Sequence, residues 1–350
     1  MSFVSKRFPV FIKLLQILSH EIYIPSFMFH NVVSTFTKNE EESMIQEIKR
    51  VLPDVDPQKL EIIGCGTVGR VYRYNNFAIK VQIPGMLDRF DENFKKINVF
   101  FSFIDIFTFG RYRFYDKCKN LVFSFHKQFD FVKEVEAMNT YSRDLVKYKF
   151  TNVFTPNVYH YNKNIIVMDY VEGELFRQEH VNDEMAKMLL ANMFFFDLSH
   201  VDLHSGNMIV TKDKRVCVID FGLTENSSNN LQYERLVYNL FKDDVIRCAN
   251  IIALSCHHSK TKKKFTVNDR EVIELQFKMA HCYHFEDPDT KFQNMSRTMK
   301  NWFIQYPYIA GSGYSAFCSF LTSVHLIGYI RDPYQLNRSL QWFLTVRKTY

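Results

Sequence analysis

The sequence contains no low-complexity tract and no apolar run long enough to cross a bilayer. The two nearest candidates, residues 99–110 and 316–330, are short and are interrupted by Asp105 and His325. We therefore interpret both runs as buried helices and expect neither disorder nor a membrane span. With 350 residues and 47% apolar content, the chain has enough material for two lobes.

The sequence also lacks the cysteine spacing of a disulfide framework or of a zinc site. It contains seven cysteines, an odd number, and neither C-x₂-C nor H-x₃-H occurs around Cys256 or Cys282. These cysteines predict an intracellular, reducing compartment, and their spacing argues against structural zinc.

Strong charge of one sign is absent as well. A net charge of +6 on 41.7 kDa indicates mild attraction to phosphates or anionic lipid and no dedicated nucleic-acid surface. The clearest basic run, residues 260–264, is interpreted as a solvated loop.

The first 20 residues contain Lys6, Arg7 and Lys13 but no acid, and no small-residue cleavage site follows them. Their apolar spacing predicts a helix rather than a leader, with Lys13 and Gln16 able to project together. By spacing alone, both side chains are typical of a solvated surface.

The chemistry-bearing residues concentrate in residues 200–225. An H-x-D-x-x-x-x-N element contains Asp202 and Asn207, and Asp220-Phe221-Gly222 follows an apolar strand. This layout resembles a kinase catalytic loop followed by a metal-binding Asp-Phe-Gly. Phosphoryl transfer needs a carboxylate near the acceptor and hard oxygen ligands for Mg²⁺, which Asp202, Asn207 and Asp220 can supply.

Two short strands, residues 208–210 and 216–219, are predicted with a turn between them. Such a hairpin would put Asn207 and Asp220 at neighbouring strand ends. Taken by itself, the segment could equally be a surface hairpin with scattered carboxylates.

A glycine-rich segment lies earlier in the chain. Gly64, Gly66 and Gly69 have G-x-G-x-x-G spacing, which could open either a Rossmann unit or the phosphate-covering hairpin of a kinase. A strand-like flank follows, not a helix, and therefore favours the hairpin. Lys80, in the next strand, is then the candidate for the α and β phosphates of ATP.

Residues 164–174 are predicted to form a strand ending in a turn. They resemble the kinase connector, where backbone groups near Met168 and Tyr170 would meet adenine. The alternative is an ordinary edge strand.

Four segments, in the correct order, resemble motifs of the UbiB/ADCK group of atypical, aarF-domain kinases. They are residues 11–19 (FIKLLQILS), 80–85 (KVQIPG), 136–139 (EAMN) and 202–207 (DLHSGN). The resemblance implies that the first helix lies over the nucleotide site, with Lys13 and Gln16 facing it. It also makes Glu136 the choice for the ion pair with Lys80, while Glu134 remains the competitor.

The chain departs from the family pattern at three points. Leu15 stands where the family has Gly, and residues 64–67 (GCGT) replace an alanine-rich loop. In the family's E-x-D motif, Asp130 falls at the first acid and Val132 at the second, whereas a two-residue shift would make Asp130 the second acid. That position stays open.

The sequence thus predicts an α+β, bilobal, protein-kinase-like fold with an N-terminal helical extension. The extension is residues 1–59, the small nucleotide-binding lobe with a helical insertion is 60–170, and the large helical lobe with the catalytic and metal loops is 171–350.

The predicted function is ATP- and Mg²⁺-dependent catalysis by an atypical kinase or ATPase. The resemblance implies a link to isoprenoid or quinone lipids, with a quinone precursor as a partner and peripheral association with an anionic membrane. The alternatives are a protein kinase that acts in trans and an inert nucleotide-binding scaffold.

Overall fold

The computed structural model describes residues 38–66, 68–92, 126–226, 244–254 and 263–283, with isolated positions elsewhere. Lys13 and Gln16, and most of the predicted helical insertion, lie outside these residues. The described residues form two compact units. The first contains residues up to Glu136 and Pro156–Val171, and the second contains Ala137–Thr155 and residues from Glu172 onward.

The helices and strands follow one another in the chain. They are α1 (Lys38–Val51), β1 (Glu61–Cys65), β2 (Gly69–Tyr74), β3 (Phe77–Gln82), α2 (Phe131–Lys147), β4 (Val153–Phe154), β5 (Val158–Tyr161), β6 (Ile165–Asp169), β7 (Gly173–Leu175), α3 (Asp183–Phe194), β8 (Leu198–His200), β9 (Met208–Thr211), β10 (Val216–Val218), β11 (Thr224–Asn226), α4 (Val245–Leu254) and α5 (Arg270–Tyr283). Short 3₁₀ turns occur at Pro57–Lys59, Gln178–His180 and Ser205–Asn207. None of the described helices is both long and apolar enough to span a bilayer.

The first unit is built on an antiparallel sheet with strand order β1-β2-β3-β6-β5. Strand β6 is interior, and Ile165, Ile166, Val167 and Met168 are all buried. Each such side chain contributes about 1.5–3 kcal/mol to stability. The edge-strand alternative for this segment is therefore wrong.

Helix α1 packs against strand β3 of this sheet, as its apolar spacing requires. Met44 and Ile48, four residues apart, are fully buried. On the same helix, Glu41 accepts a hydrogen bond from the buried Arg70 of β2 at 3.0 Å. Helix α1 is thus attached to the sheet by a buried apolar face and by an ion pair.

The second unit contains a four-stranded sheet with strand order β4-β10-β9-β7 and the separate pair β8-β11. A Cβ atom on Gly173 of β7 would overlap the carbonyl oxygen of Val210 in β9, so only glycine allows these strands to approach. Helix α3 begins after Asn182, whose side chain accepts a hydrogen bond from Met185 N at 3.0 Å, and α3 packs against β8.

Residues near the carboxyl end of the chain contact the start and end of α3. Arg338 donates two hydrogen bonds to the carboxylate of Asp183, at 2.6 and 3.0 Å. The ring of Trp342 lies 5.7 Å from that of Phe150 and 6.2 Å from that of Phe195. These contacts belong to the second unit.

Candidate active site

The glycine-rich segment forms the turn of the β1-β2 hairpin, in which Gly66 N donates a hydrogen bond to Gly69 O at 2.8 Å. A strand follows the glycines, as predicted, so the Rossmann alternative is wrong. A Cβ on Gly69 would lie 2.7 Å from Val81 O, whereas one on Gly64 would make ordinary contact with Val71 at 3.5 Å. Packing of β2 on β3 therefore requires glycine at position 69.

Lys80 lies in the middle of β3, opposite Val71 and Ile166 in the neighbouring strands. Its Nζ forms an ion pair of 2.6 Å with Glu134 Oε1 at the start of α2. The side chains are 14% and 2% exposed respectively, so the pair is shielded from water. Nζ also lies 5.2 Å from the centre of the Phe131 ring. Together these contacts fix the position of the ammonium group.

The choice of Glu136 as the partner of Lys80 is wrong, because Glu134 occupies that position. The two acids are two residues apart on a helix and so point in different directions. Glu134 lies on the buried stripe that includes Phe131, Val135 and Met138, whereas Glu136 is exposed. The apolar periodicity of α2 could have distinguished them. The same two-residue shift would make Asp130 the second acid of the family's motif, and that assignment stays a prediction.

The predicted connector begins at the end of β6. Met168 is buried opposite Ala78 of β3. Tyr170 N donates a hydrogen bond to Asn76 O at 2.8 Å, and the guanidinium of Arg73 lies 4.1 Å from the centre of the Tyr170 ring. The segment is thus fixed beside β2 and β3 in the first unit, and the adenine contact of Met168 and Tyr170 stays a prediction.

In the second unit, the predicted hairpin places Asn207 and Asp220 at adjoining strand ends. Strands β9 and β10 pair antiparallel, and Ile219 N donates to Asn207 O at 2.9 Å just beyond the ladder. The hairpin prediction is confirmed. Because one hydrogen bond joins the residue before Asp220 to Asn207, the two candidate metal ligands have a fixed spacing.

The loop between β8 and β9 is held by hydrogen bonds among its own residues. Asn207 Nδ2 donates to Asp202 O at 2.9 Å, which leaves Oδ1 as the group of Asn207 that can face a cation. His204 Nδ1 accepts from Gly206 N at 3.0 Å, and its Nε2 lies 3.7 Å from Asp202 Oδ2. The Asp202 side chain remains 48% exposed, so its carboxylate can meet solvent or a substrate.

Asp220 adopts a left-handed backbone conformation, with φ of 60°. A residue other than glycine rarely occupies this region, and the strain is typical of functional sites. Phe221 is buried, with its ring centre 5.1 Å from that of Tyr141 and 5.0 Å from that of His200. The buried ring anchors the turn while the Asp220 side chain stays exposed.

His200 is fully buried, and burial lowers the pKa of its imidazole to about 4. The ring is therefore neutral at pH 7. Its Nε2 lies 3.3 Å from Ile219 O, and because a carbonyl only accepts, the proton resides on Nε2. A structural role for His200, rather than a proton-carrying one, fits this environment.

Asn192 of α3 is a residue that the sequence-based interpretation did not single out. It is fully buried, accepts a hydrogen bond from His200 N at 2.8 Å and donates to His200 O at 3.3 Å. The available signal was an amide in the middle of an apolar helical run, residues 188–196. Its partner could not be identified without the fold.

The residues present fit Mg²⁺. Asn207 and Asp220 offer an amide oxygen and a carboxylate, both hard ligands, and a Mg²⁺ ion at a kinase site takes its remaining ligands from phosphates and water. Within the described part of the chain, no group of three or more His, Cys, Asp or Glu side chains could hold a metal by itself. Such a site would depend on nucleotide phosphates to complete the coordination.

The two sets of residues, each in its own unit, are those of a kinase-like protein. The model of the ABC1 atypical kinase-like domain matches residues 63–252, which is more than half of the chain. The chain therefore belongs to the ABC1 atypical kinase-like family, the UbiB/ADCK group, as its motifs indicated. The α+β, protein-kinase-like fold is confirmed with it.

Two curated relatives are chloroplastic proteins of Arabidopsis thaliana. Protein ACTIVITY OF BC1 COMPLEX KINASE 8 is 23% identical over 216 residues, covering 53% of this chain and 27% of the relative. Protein ACTIVITY OF BC1 COMPLEX KINASE 3 is 21% identical over 372 residues, covering 93% of this chain and 49% of the relative. The chain thus spans half or less of the length of these relatives.

Among solved structures, the chain is similar to Rv3197 of Mycobacterium tuberculosis in its complex with erythromycin. The identity is 14%, the match covers 89% of this chain and 87% of that chain, and the TM-score is 0.47. The gentamicin complex of APH(2")-IIa gives a TM-score of 0.32 at 12% identity, covering 74% of this chain and 97% of that chain. Both scores are below 0.5, so neither similarity bears on function.

Proposed function

We propose that this chain binds ATP with Mg²⁺ and catalyses phosphoryl transfer, as an atypical kinase or ATPase. The observation that carries the proposal is the hydrogen-bonded spacing of Asn207 and Asp220 at the ends of β9 and β10. Two hard oxygen ligands on adjoining strand ends, after a loop that contains Asp202, match the needs of a Mg²⁺-nucleotide site.

The roles of the residues follow from their chemistry. Lys80, oriented by Glu134, would neutralise charge on the α and β phosphates. Asn207 and Asp220 would hold Mg²⁺, which supplies charge neutralisation for the phosphates. Asp202, with its exposed carboxylate, would orient the acceptor or take its proton. The β1-β2 hairpin, with Gly64, Gly66 and Gly69, would cover the phosphates.

The acceptor in this proposal is a small molecule or water rather than a peptide. After Gly222 the chain enters β11, which pairs directly with β8, and no Ala-Pro-Glu occurs in the sequence. An ordinary protein kinase uses a longer segment there to seat its peptide. Family membership supports an isoprenoid or quinone precursor as the acceptor class, close to an anionic membrane surface, with peripheral association.

Turnover of ATP by the purified chain tests the proposal. We expect Mg²⁺-dependent release of phosphate, and a loss of at least about 1,000-fold for Asp220→Asn because a metal-binding carboxylate is removed. Asp213→Asn, the same change in the exposed turn of the same hairpin, is the control and should keep full activity. Equal turnover by the two variants would refute the assignment of Asp220, and an inactive parent would favour the scaffold alternative.

A second assay addresses the acceptor. The protein is incubated with γ-labelled ATP and cell extract, and separately with quinone precursors and with anionic or neutral liposomes. The proposal expects ATP hydrolysis, self-labelling or labelled small molecules, with turnover raised by the precursor or by anionic liposomes. Strong labelling of many extract proteins would instead support a protein kinase acting in trans.

A further inference from the structure

The side chain of Asn192 bridges α3 to the residue that begins the catalytic loop. Its amide oxygen accepts from His200 N at 2.8 Å, and its amide nitrogen donates to His200 O at 3.3 Å. Its own carbonyl accepts from Ser199 Oγ at 2.7 Å. All three residues are buried, so the amide satisfies both backbone groups of His200 where water cannot.

From His200 the connection continues to both candidate Mg²⁺ ligands. The imidazole donates from Nε2 to Ile219 O, and Ile219 N in turn donates to Asn207 O at 2.9 Å. Ile219 directly precedes Asp220, whose backbone is left-handed. The peptide groups around Ile219 are therefore bound on both sides, by His200 and by Asn207. Rotation of either peptide would redirect the Asp220 carboxylate.

Asparagine suits position 192 for a specific reason. A primary amide is the shortest neutral side chain that carries a donor and an acceptor side by side, and it can therefore pair with the N–H and C=O of one residue. Leucine would fill the space without a hydrogen bond, and ionised aspartate would offer no donor.

We propose that Asn192 is a positioning residue for Mg²⁺ binding: it fixes the His200 peptide, and through the imidazole it fixes the backbone that presents Asp220 and Asn207. The inference rests on the proposed function. Residues that orient metal ligands without touching the metal typically contribute 10–100-fold to metal affinity or activity. Asn192 would therefore affect the affinity for Mg²⁺ by a factor of this size, and it would not affect the binding of the nucleotide itself.

The test compares Asn192→Leu with Asn182→Ala. Asn182 caps the same helix through one side-chain acceptor, so its removal weakens α3 without altering the His200 contacts. For each purified variant, the half-saturating Mg²⁺ concentration for ATP turnover and the affinity for ATP without Mg²⁺ are measured, together with Tm.

We expect Asn192→Leu to raise the half-saturating Mg²⁺ concentration about tenfold or more, with little change in metal-free ATP affinity. Asn182→Ala should lower Tm and leave the Mg²⁺ requirement of the parent protein. Asn192→Asp, which keeps the shape and the acceptor, should give an intermediate requirement, and this variant decides the question if Asn192→Leu does not fold.

An unchanged Mg²⁺ requirement in the folded Asn192 variants would overturn the inference. So would an equal rise in Asn182→Ala, because the effect would then be one of helix stability. If the unsubstituted protein shows no Mg²⁺-dependent turnover, the proposed function fails first and the inference fails with it. The two failures are distinguished by the parent protein alone.

Discussion

The first unit and the second unit hold their functional groups by different physical means. In the first, Lys80 is held by an opposite charge, the buried carboxylate of Glu134 at 2.6 Å. In the second, Asn207 donates a hydrogen bond to the backbone carbonyl of Asp202, and the neutral His200 holds the peptide that precedes Asp220 through Ile219 O. The first arrangement depends on charge and the second on hydrogen-bond geometry.

The difference follows from what each group must do. An ammonium group that contacts phosphates can keep a carboxylate partner. The phosphates attract the ammonium group, and the carboxylate orients it toward them. A carboxylate that meets a cation or an acceptor needs its own oxygens available, so its support has to come from peptide groups. The second unit accordingly leaves the Asp202 side chain 48% exposed, whereas Glu134 is 2% exposed.

The substitution Glu134→Gln tests most directly whether the first unit depends on charge. The change removes the buried carboxylate from its ion pair with Lys80, so we expect the free energy of unfolding to fall by about 3 kcal/mol and ATP turnover to fall at least tenfold. Glu136→Gln removes an exposed acid from the same helix and should change stability by less than about 0.5 kcal/mol. Urea unfolding and ATP turnover measure both effects. A larger loss in Glu136→Gln would restore the original choice of ion-pair partner.

The contribution of the neutral His200 imidazole to the second unit can be tested by measuring stability as a function of pH. Burial lowers the pKa of His200 to about 4, below its usual 6.5, so the unfolded chain binds the proton more readily than the folded one. The contribution of neutral His200 to the free energy of unfolding is therefore fully present above pH 6.5. It declines as the pH falls toward 4, by about 3 kcal/mol. Urea unfolding between pH 4 and 7.5 measures this slope.

The control for the pH experiment is His200→Gln, which removes the titrating ring and keeps a side-chain donor. Its stability should be lower at pH 7 and should fall less between pH 6.5 and 4. If the parent and the variant show parallel curves, His200 is not a buried neutral imidazole, and the second unit would also depend on charge.

The smallest expected effect concerns the glycine hairpin. Gly69→Ala places a methyl group 2.7 Å from Val81 O, and we expect a loss of about 2 kcal/mol as the two strands separate. Gly64→Ala meets Val71 at ordinary contact distance and should leave stability within about 0.5 kcal/mol. Thermal unfolding of the two variants would show whether glycine is required at 69 for sheet packing. Equal losses would contradict that requirement.

The parts of the structure that were predictable depend on local spacing. The β9-β10 hairpin and the strand after the glycines follow from alternating apolar residues bounded by turn residues. Helix α3 and its start at Asn182 follow from helical periodicity and a capping side chain. Each of these signals lies within about a dozen residues, so interactions between neighbours in the sequence determine these elements.

The parts that were missed depend on which side chains meet across the fold. Glu134 and Glu136 are chemically equivalent, and the match of residues 136–139 to the family's E-A-x-N motif favoured the wrong one. The position of Asn192 in an apolar run marked it as unusual, but the sequence could not identify its partner, which is the backbone of a residue in another element. A hydrogen bond to a backbone group does not depend on which residue supplies that group, so the sequence does not reveal it.

The contacts of Arg338 and Trp342 determine how much of the chain a cooperative fold needs. The family match ends at residue 252, yet Arg338 neutralises Asp183 at the first turn of α3 and Trp342 covers Phe150 and Phe195. At the other end, the match begins at residue 63 and omits the buried Met44 and Ile48. A fragment trimmed to the matched region would therefore expose apolar surface in both units and would tend to aggregate, although it would keep Lys80, Asp202, Asn207 and Asp220.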